Sequence, residues 1–403
     1  MSDPRHTAVI AGAARTPIGR FLGGLAPLSA PQLGATAIRA ALERSKIDPA
    51  DIDDVILGNV ISAAAGQAPA RQAALAGGVP DTVGAMTVSR VCGSGLQAVM
   101  LAAQAIRAGD ARVMIAGGME SMSNAPYYVL GYRDGVKFGN QQMVDGLIYD
   151  GLTCAFEHCH MGGHAEYTAW KAGITREDAD KFALESHQRA IRAIDGGCFK
   201  EEIAPVSIAG RKGETIIDTD EPPRRDTSLE ALGKLKPAFT ADMPKEVTQP
   251  VVTAGNSPGL NDGAAALVVT SEEYARAHGL TILARISAYA NGAVAPRELF
   301  FAPVRAVPRV MEKEGKKASD YDLIEVNEAF AVQALADGRA LGWDWDRVNV
   351  HGGAVALGHP IGASGSRILV TLLHGMKQRD AQTGLATLCL GGGDAVALSV
   401  ERV

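Results

Sequence analysis

The sequence predicts an α/β fold with an internal duplication. Short apolar segments with strand character alternate with segments of helical periodicity, as where Ala8 to Ala14 precedes Ala30 to Arg44. This alternation is typical of a mostly parallel sheet with helices on both faces. In addition, the segment from Asp51 to Asn59 is similar to the segment from Asp320 to Asn327. We therefore expect two similar halves whose matching strand-to-helix turns face one shared site.

The remaining elements are predicted from the same periodicity and from their end signals. A helix near 175–194 has Glu177 and Asp178 in its first turn and Gly196 directly after it. The other predicted segments are strands at about 51–60, 113–116 and 263–270, and helices at 69–76 and from the Cys92 region to about Arg107.

A long insertion separates the two halves. From about residue 121 to 252, aromatic residues, Gly, Pro and charged residues interleave without the alternation seen elsewhere. Loop-rich insertions of this kind commonly carry binding function. We expect an N-terminal half at 1–121 that is completed by about 253–282, a loop domain at 122–252, and a C-terminal half at 283–403.

Composition and charge exclude several functions. The chain has 403 residues, of which 47% are hydrophobic and 21% charged, as in ordinary globular proteins. A net charge of −6 without a long basic run argues against nucleic acid as a partner, and no apolar stretch is long enough to cross a membrane. Five cysteines fit a reducing compartment. Because the N-terminal segment also lacks the layout of a secretory signal, we expect a cytoplasmic protein.

The stretch MTVSRVCGSGLQAVM predicts a strand, a tight turn and a helix, with Cys92 at the turn. A thiol at this position faces the free N–H groups and the positive dipole end of the following helix, which favour the thiolate. Cys92 is therefore a candidate nucleophile. A cysteine in a Gly-rich turn is more often inert than catalytic, so this interpretation depends on partner residues elsewhere in the chain.

Three candidate partners lie in turns of the second half. Asn327 follows a predicted strand, His359 lies between Gly358 and Pro360, and Cys389 lies near the end of a buried strand. Two thiols and an imidazole suit acyl transfer through a covalent intermediate. Taken singly, Cys389 is explained as a small buried hydrophobic residue and His359 as a structural histidine. Their combination with Cys92 favours catalysis.

A competing pattern points to a metal. Five potential ligands lie within eleven residues, namely Cys154, His158, Cys159, His160 and His164. Adjacent His-Cys-His side chains converge poorly, however, and Gly162 and Gly163 weaken the helix that would align His160 with His164. We therefore expect no metal site.

A second competing pattern is a dinucleotide-binding fingerprint. Gly93-x-Gly95-x-x-Ala98 follows a predicted strand. No acidic residue follows at the distance that a ribose contact requires, and a cysteine occupies the turn. This interpretation is the weaker one.

Several motifs occur in a fixed order along the chain: Cys92-Gly-Ser-Gly95, Gly117-Gly-Met-Glu-Ser121, His160-Met-Gly162, Gly255-Asn256 with Gly259-Leu-Asn-Asp-Gly263, Asn327-Glu-Ala-Phe330, Gly358-His-Pro-Ile-Gly362 and Cys389-Leu-Gly-Gly-Gly393. Through these motifs the chain, from Arg15 to its C-terminus, resembles the thiolase family. Each motif alone is a weak signal, but their number and order make the resemblance specific.

The resemblance implies a role for each reactive group. Cys92 takes the acyl group of an acyl-CoA as a thioester, and His359 accepts the thiol proton. Cys389 exchanges a proton with C2 of a second acetyl-CoA. The enolate is stabilised by His359 and a water held by Asn327, and a second oxyanion hole comes from the backbone N–H groups of Cys92 and Gly391.

The resemblance also implies binding residues. His160 and Met161 match positions at the acyl pocket and thioester, and Ser257 lies near the pantetheine position. Arg224 matches a position that contacts the CoA nucleotide, and a guanidinium suits that polyanionic end. Leu299 belongs to a segment that lines the acyl pocket in short-chain relatives.

Four departures from the family pattern accompany these matches. Ser89 replaces a common Asn, and Pro258 replaces a serine near the pantetheine. The segment from Glu298 to Ala302 replaces a Met-Gly-type segment, and Asp394 follows the triple glycine where a second glycine is common. None of the departures touches the four reacting groups.

The resemblance further implies a five-layer αβαβα arrangement of two halves, each with a mixed sheet, a loop domain that binds CoA, and a homodimer or homotetramer. The implied activity is that of an acetyl-CoA C-acetyltransferase, which condenses two acetyl-CoA to acetoacetyl-CoA and CoA or runs in reverse. CoA thioesters are substrates, so no cofactor is expected. Two alternatives are a broad-chain 3-ketoacyl-CoA thiolase of fatty-acid β-oxidation and a non-catalytic acyl-CoA-binding relative; the four reacting groups argue against the latter.

Overall fold

The computed structural model describes residues 3–210 and 213–403, so the first two residues of the N-terminal segment discussed above lie outside it. The strands are β1 (Ala8–Arg15), β2 (Gly19–Arg20), β3 (Asp54–Gly58), β4 (Gly84–Val88), β5 (Val113–Ser121), β6 (Tyr127–Tyr128), β7 (Val144–Asp145), β8 (Val206–Gly210), β9 (Gly213–Ile217), β10 (Asn261–Ser271), β11 (Ala284–Ala293), β12 (Leu323–Val326), β13 (Thr383–Leu390) and β14 (Asp394–Glu401). The α-helices are α1 (Ala30–Ser45), α2 (Pro69–Ala76), α3 (Ser94–Ala108), α4 (Met161–Ala172), α5 (Arg176–Asp195), α6 (Leu229–Gly233), α7 (Glu272–Ala277), α8 (Pro303–Glu314), α9 (Ala331–Leu341), α10 (Ala354–Leu357) and α11 (Ile361–Gln378).

One ten-stranded sheet runs through the molecule in the order β12-β13-β14-β11-β1-β10-β5-β3-β4, with β2 added to β10. The prediction of a mostly parallel sheet from the strand–helix alternation is wrong, because only β12–β13, β3–β4 and β3–β5 are parallel pairs among the main strands. β14 follows β13 through a tight turn and so pairs with it in the antiparallel sense. β10 returns from the insertion antiparallel to both β1 and β5. The sheet is mixed, as the family resemblance implies.

The strand order shows the duplication. Reading outward from the antiparallel β1–β11 contact, the first half runs β1, β10, β5, β3 and the second runs β11, β14, β13, β12. The sense of each successive pair is the same in both halves. In the first half, β4 pairs in parallel with β3. At the equivalent place in the second half, β12 has a single parallel bridge between Ile324 and Val348.

Helices cover and separate the two halves of the sheet. Helices α1 and α2 pack on the outer face of the first half, where Leu33 and Ile38 meet Val268 of β10. Helix α8 covers the outer face of the second half. Helices α3 and α11 form the central layer, in which Leu96 and Leu369 share one core with strands of both halves. This is the five-layer order, with the ends of α3 and α11 at the centre.

The two central helices approach each other closely at a glycine near the start of each. A Cβ at Gly95 of α3 would lie 2.7 Å from the backbone nitrogen of Ser366, and one at Gly365 of α11 would lie 2.5 Å from that of Leu96. Because a side chain at either position would push the helices apart, the two glycines allow the helix N-termini to come together.

The insertion is tied to the first half by a buried ion-pair network. Arg15 at the end of β1 donates to Glu202 at 2.5 Å and makes a bidentate contact with Asp220 at 2.7 and 2.9 Å. All three side chains are buried, so removing Arg15 would leave two buried carboxylates without this cation, at a cost of about 3–5 kcal/mol. Within the described part of the chain, no helix combines the length and apolarity needed to cross a membrane.

Candidate active site

Cys92 lies in a strained turn between β4 and α3. Val91, read as strand from its β-branched side chain, instead has a φ of 45°, in the left-handed region that such residues rarely adopt. Ser94 holds this conformation, because its hydroxyl donates to the Val91 carbonyl at 2.7 Å and accepts from the Arg90 N–H at 2.8 Å. The turn directs the Cys92 thiol away from the strand and into a cavity.

The resting state of Cys92 differs from the sequence-based expectation. Burial raises the pKa of its thiol to about 12, while backbone N–H groups of Gly391 and of Cys92 itself act in the opposite direction. Desolvation therefore acts against the thiolate that the helix terminus favours. The thiol needs a base at the moment of attack.

His359, which lines the same cavity as Cys92, is the candidate for that base. Its Nδ1 lies 2.6 Å from the Ser364 hydroxyl, which also lies 2.9 Å from the Pro360 carbonyl oxygen. Because the single hydroxyl proton is donated to that carbonyl, Ser364 accepts from Nδ1–H, which leaves Nε2 as the proton acceptor. Burial lowers the pKa of His359 to about 3, so the imidazole is neutral. Asn261 Oδ1 accepts a hydrogen bond from the backbone N–H of His359 at 2.9 Å, which fixes the backbone of this residue.

Asn327 lies beside the imidazole. Its Nδ2 is 3.5 Å from His359 Nε2, at the long limit of a hydrogen bond, so this contact is easily exchanged for another partner. Its Oδ1 is buried and has no hydrogen-bond partner among the described residues. A buried, unpaired acceptor next to the imidazole is a suitable anchor for a water molecule.

Cys389 and Gly391 lie at the turn between β13 and β14. Cys389 is buried, and burial together with the nearby Cys92 raises the pKa of its thiol well above the ordinary value. The Gly391 N–H points at the Cys92 sulfur. The two turns interlock, because a Cβ at Gly93 would lie only 2.1 Å from a methyl group of Leu390.

One cavity of about 540 Å³ joins these groups. Nine of the ten residues singled out from the sequence line it, namely Cys92, His160, Met161, Arg224, Ser257, Leu299, His359, Cys389 and Gly391. The tenth, Asn327, contacts the cavity through His359. The structure therefore brings together every residue that the sequence assigned to the site.

Aromatic side chains form part of the cavity wall. His160 stacks on Phe239 with ring centroids 4.7 Å apart, and Phe330 packs edge-on against both Phe239 and Phe300. The His160 Nδ1 accepts from the Gly162 N–H at the start of α4, so the ring orientation is fixed. Leu299 is buried beside this row. This part of the cavity wall is thus apolar.

The structure explains one departure from the family pattern and gives a partial account of another. Asp394 forms an ion pair with Arg90 from the opposite half. Ser257, next to Pro258, donates its hydroxyl to the Thr253 carbonyl at 2.7 Å, so that hydroxyl already has a protein partner. The structure gives no account of Ser89.

Sequence reasoning missed three residues that hold the site. Ser364 lies just beyond the Gly358-His-Pro-Ile-Gly362 motif, and its hydroxyl contacts Nδ1 of His359. Asn261 lies inside a quoted motif without an assigned role. Glu120 is buried and accepts from the backbone N–H groups of Val60 and Gly362, which ties β5 to the start of α11. Burial raises the Glu120 pKa to about 7. Its place in the Gly-Gly-Met-Glu-Ser motif was the only signal available in the sequence.

Fold and site together define an α/β acyltransferase with duplicated halves and paired cysteines. A profile described as the thiolase N-terminal domain matches residues 8–273, and one described as the thiolase C-terminal domain matches residues 280–402. The chain belongs to the thiolase family.

Curated relatives match this chain over nearly their whole length. An acetyl-CoA acetyltransferase of Pseudomonas aeruginosa is 55% identical over 395 residues, covering 98% of this chain and 99% of the relative. Proteins of the same name from Escherichia coli strain K12 and Cupriavidus necator are each 53% identical, with the same coverage.

Proposed function

We propose that this protein is an acetyl-CoA C-acetyltransferase, which condenses two acetyl-CoA molecules to acetoacetyl-CoA and CoA and catalyses the reverse thiolysis. The observation that carries the proposal is the convergence of Cys92, Cys389 and His359 on one apolar cavity. The shared name of relatives more than half identical in sequence supports acetyl-CoA as the substrate.

In the first step, Cys92 attacks the thioester carbonyl of acetyl-CoA. Its S–H proton passes to Nε2 of His359 as the sulfur–carbon bond forms, and the proton then goes to the departing CoA sulfur. Both groups are neutral in the resting site, so charge develops only with the substrate in place. The N–H groups of Cys92 and Gly391 would stabilise the carbonyl oxygen as it becomes negative.

In the second step, Cys389 would pass its S–H proton to Nε2 of His359, and the resulting thiolate would take a proton from C2 of a second acetyl-CoA. The enolate oxygen formed in this way would be stabilised by His359, now donating from Nε2, and by a water bound to Asn327 Oδ1. The C2 carbanion attacks the acetyl-Cys92 carbonyl, the carbon–sulfur bond to Cys92 breaks, and the Cys92 sulfur takes the proton from Nε2 of His359, which returns both thiols and the imidazole to their neutral forms. Acetoacetyl-CoA leaves.

The CoA moiety would extend from the thiols toward a basic edge of the insertion. His160, Met161 and Ser257 line the channel, and Leu299 closes its acyl end. Arg224 lines this cavity and also a neighbouring one of about 240 Å³ that contains Arg192 and Arg225. Guanidinium groups are suited to the phosphates of a CoA nucleotide.

Further parts of the proposal concern assembly and surroundings. We propose a homodimer or homotetramer in the cytoplasm that uses CoA thioesters without an additional cofactor. Large apolar side chains on the insertion support association, since Phe138 is 98% and Met143 71% exposed. Light scattering at several protein concentrations measures the oligomeric state directly.

The experiment that tests the function is intact-mass analysis after incubation with acetyl-CoA. We expect one acetyl adduct, located at Cys92 by peptide mapping and absent from Cys92→Ser. Cys198→Ser, which changes a half-buried thiol outside the cavity, is the matched control and should acetylate normally. An adduct-free wild type, indistinguishable from Cys92→Ser, would contradict enzymatic acyl transfer.

A further inference from the structure

A cluster of potential metal ligands lies on the turn that forms one wall of the cavity. Glu157, Cys159 and His164 place one ligand atom each within 4.8 Å of the others. Cys159 Sγ is 3.5 Å from Nε2 of His164. His164 is buried in the first turns of α4, whereas Cys159 and Glu157 are progressively more exposed. The cluster is therefore open to solvent on one side.

The spacing matches tetrahedral coordination. With a zinc–sulfur distance of about 2.3 Å and a zinc–nitrogen distance of about 2.0–2.1 Å at a tetrahedral angle, sulfur and nitrogen should be about 3.5 Å apart. Cys159 and His164 already have this separation. Glu157 is exposed and has a carboxylate oxygen within 4.8 Å of the other two ligand atoms, which makes it the candidate third ligand. Thiolate, imidazole and carboxylate are the ligand types that zinc prefers.

The backbone fixes two of the ligands before any ion binds. The Cys154 N–H donates to the Cys159 carbonyl at 2.8 Å, and the His158 N–H donates to the Cys154 carbonyl at 2.9 Å. The Glu157 N–H lies 3.4 Å from the Cys154 sulfur. A closed turn of this kind lowers the entropy that an ion would have to remove from its ligands.

The sequence predicts no metal site because all five Cys and His residues could not converge on one ion. In the structure, only Cys159 and His164 of these five belong to the cluster. His160 accepts from the Gly162 N–H and stacks on Phe239, whereas His158 is exposed and has a left-handed φ of 53°. α4 begins at Met161 despite its two glycines, so His164 is presented back toward Cys159.

We infer that Glu157, Cys159 and His164 form a binding site for a divalent cation of the zinc class. On binding, the Cys159 S–H bond breaks, a metal–sulfur bond forms and one proton is released to solvent. Because Phe156 and His160 of the same turn line the cavity, the cation would fix the position of this wall without entering the reaction. The site lies outside the group of reacting thiols.

The test is cobalt and zinc binding to a Cys92→Ser/Cys389→Ser double variant, which removes the thiols of the cavity as competing ligands. We expect one equivalent of Co²⁺ with a thiolate-to-cobalt charge-transfer band, displaced by Zn²⁺. Adding Cys159→Ser should abolish the band and weaken zinc binding about 100-fold or more, and Glu157→Gln should weaken it about tenfold. Competition with a chromogenic chelator measures both affinities.

Matched controls come from the same turn and from another thiol. His158→Gln changes a neighbouring histidine outside the cluster, and Cys198→Ser removes the remaining half-buried thiol away from the turn. Both should keep the band and the affinity. A band that is absent, or that persists without Cys159, would overturn the inference. Circular dichroism checks that each variant is folded. Because Cys159 is only partly buried, we expect Cys159→Ser to fold, so that loss of the band reports loss of the ligand.

Discussion

Arg90 and Asp394 connect the turns that carry Cys92 and Gly391 across 304 residues of sequence. The Arg90 guanidinium donates to one oxygen of Asp394 at 2.5 and 3.1 Å. Arg90 begins the turn that carries Cys92, and Asp394 begins β14, directly after the turn that carries Gly391. The ion pair therefore links the nucleophile to the N–H group proposed to stabilise its oxyanion.

The first prediction concerns this pair. Arg90→Met and Asp394→Asn should each slow acetylation of Cys92 by about tenfold, because a small displacement of the Gly391 N–H weakens oxyanion stabilisation. The stability cost should be only about 1 kcal/mol, since both side chains are about 30% exposed. A double-mutant cycle on acetylation rates should show strong coupling. Additive effects would contradict the proposed link.

The second prediction separates orientation of His359 from helix stability. Ser364→Ala should lower the rate of acetylation about 10–100-fold, since Nδ1 loses the acceptor that fixes the tautomer, while KM for acetyl-CoA changes little. Ser366→Ala removes a buried hydroxyl from the same helix that donates to Ala363 at 2.9 Å, and it should cost stability without slowing the chemistry. Equal rates in the two variants would refute the positioning role.

The third prediction is a pH dependence. A thiol is alkylated as its thiolate, and the pKa of Cys92 is raised to about 12, so alkylation by iodoacetamide should rise about tenfold per pH unit without a plateau below about pH 10. Only the neutral imidazole accepts a proton, and the pKa of His359 is lowered to about 3. Protonation of His359 should therefore not slow acetylation between pH 8 and 5. Peptide mapping follows Cys92 alone, and a plateau near pH 7 would contradict neutral resting groups.

The fourth prediction divides the work of the two thiols. Cys389→Ala should still form the acetyl adduct on Cys92, but condensation should fall about 10²–10⁴-fold because only proton transfer at C2 is lost. The adduct should then accumulate under turnover. Failure of this variant to acetylate would show that Cys389 acts earlier than proposed.

The fifth prediction concerns acyl-chain length. Leu299 is buried at the apolar end of the cavity, so Leu299→Ala should raise the relative kcat/KM for thiolysis of longer 3-ketoacyl-CoA over acetoacetyl-CoA by about tenfold or more. Phe182→Ala, outside the cavity wall, controls for loosened packing. A wild type that already prefers long chains would favour the broad-chain alternative.

Local signals were sufficient for much of the fold. The helix at Pro69–Ala76 was predicted at its observed bounds, and the one at Arg176–Asp195 has the predicted acidic first turn. These elements are determined by neighbouring residues, namely proline at the start, caps and periodicity. The sense of strand pairing is not local, since the position of β10 depends on where the insertion returns the chain, and this is where the prediction of a parallel sheet was wrong.

The site was predictable as a set of residues but not in its electrostatics. Motif order named the residues that line the cavity, yet Val91 was read as strand because propensity ignores the strain that Ser94 and the packed turn impose. The pKa of the Cys92 thiol depends on how far the second half of the chain excludes water from it. The residues next to Cys92 in the sequence carry no information about this burial. The role of Ser364 depends likewise on a single 2.6 Å contact formed by folding.

The position of β14 has a consequence for synthesis of the protein on the ribosome. β14 is an interior strand, between β13 and β11, although it is translated after every other described strand. Until it emerges, the nascent chain carries two unpaired strand edges facing a gap, a state prone to wrong association. His359 and Cys389 have then been made but have no fixed geometry relative to Cys92. Catalysis therefore begins only after β14 docks, and truncations that remove β14 should act as folding defects rather than as losses of a peripheral segment.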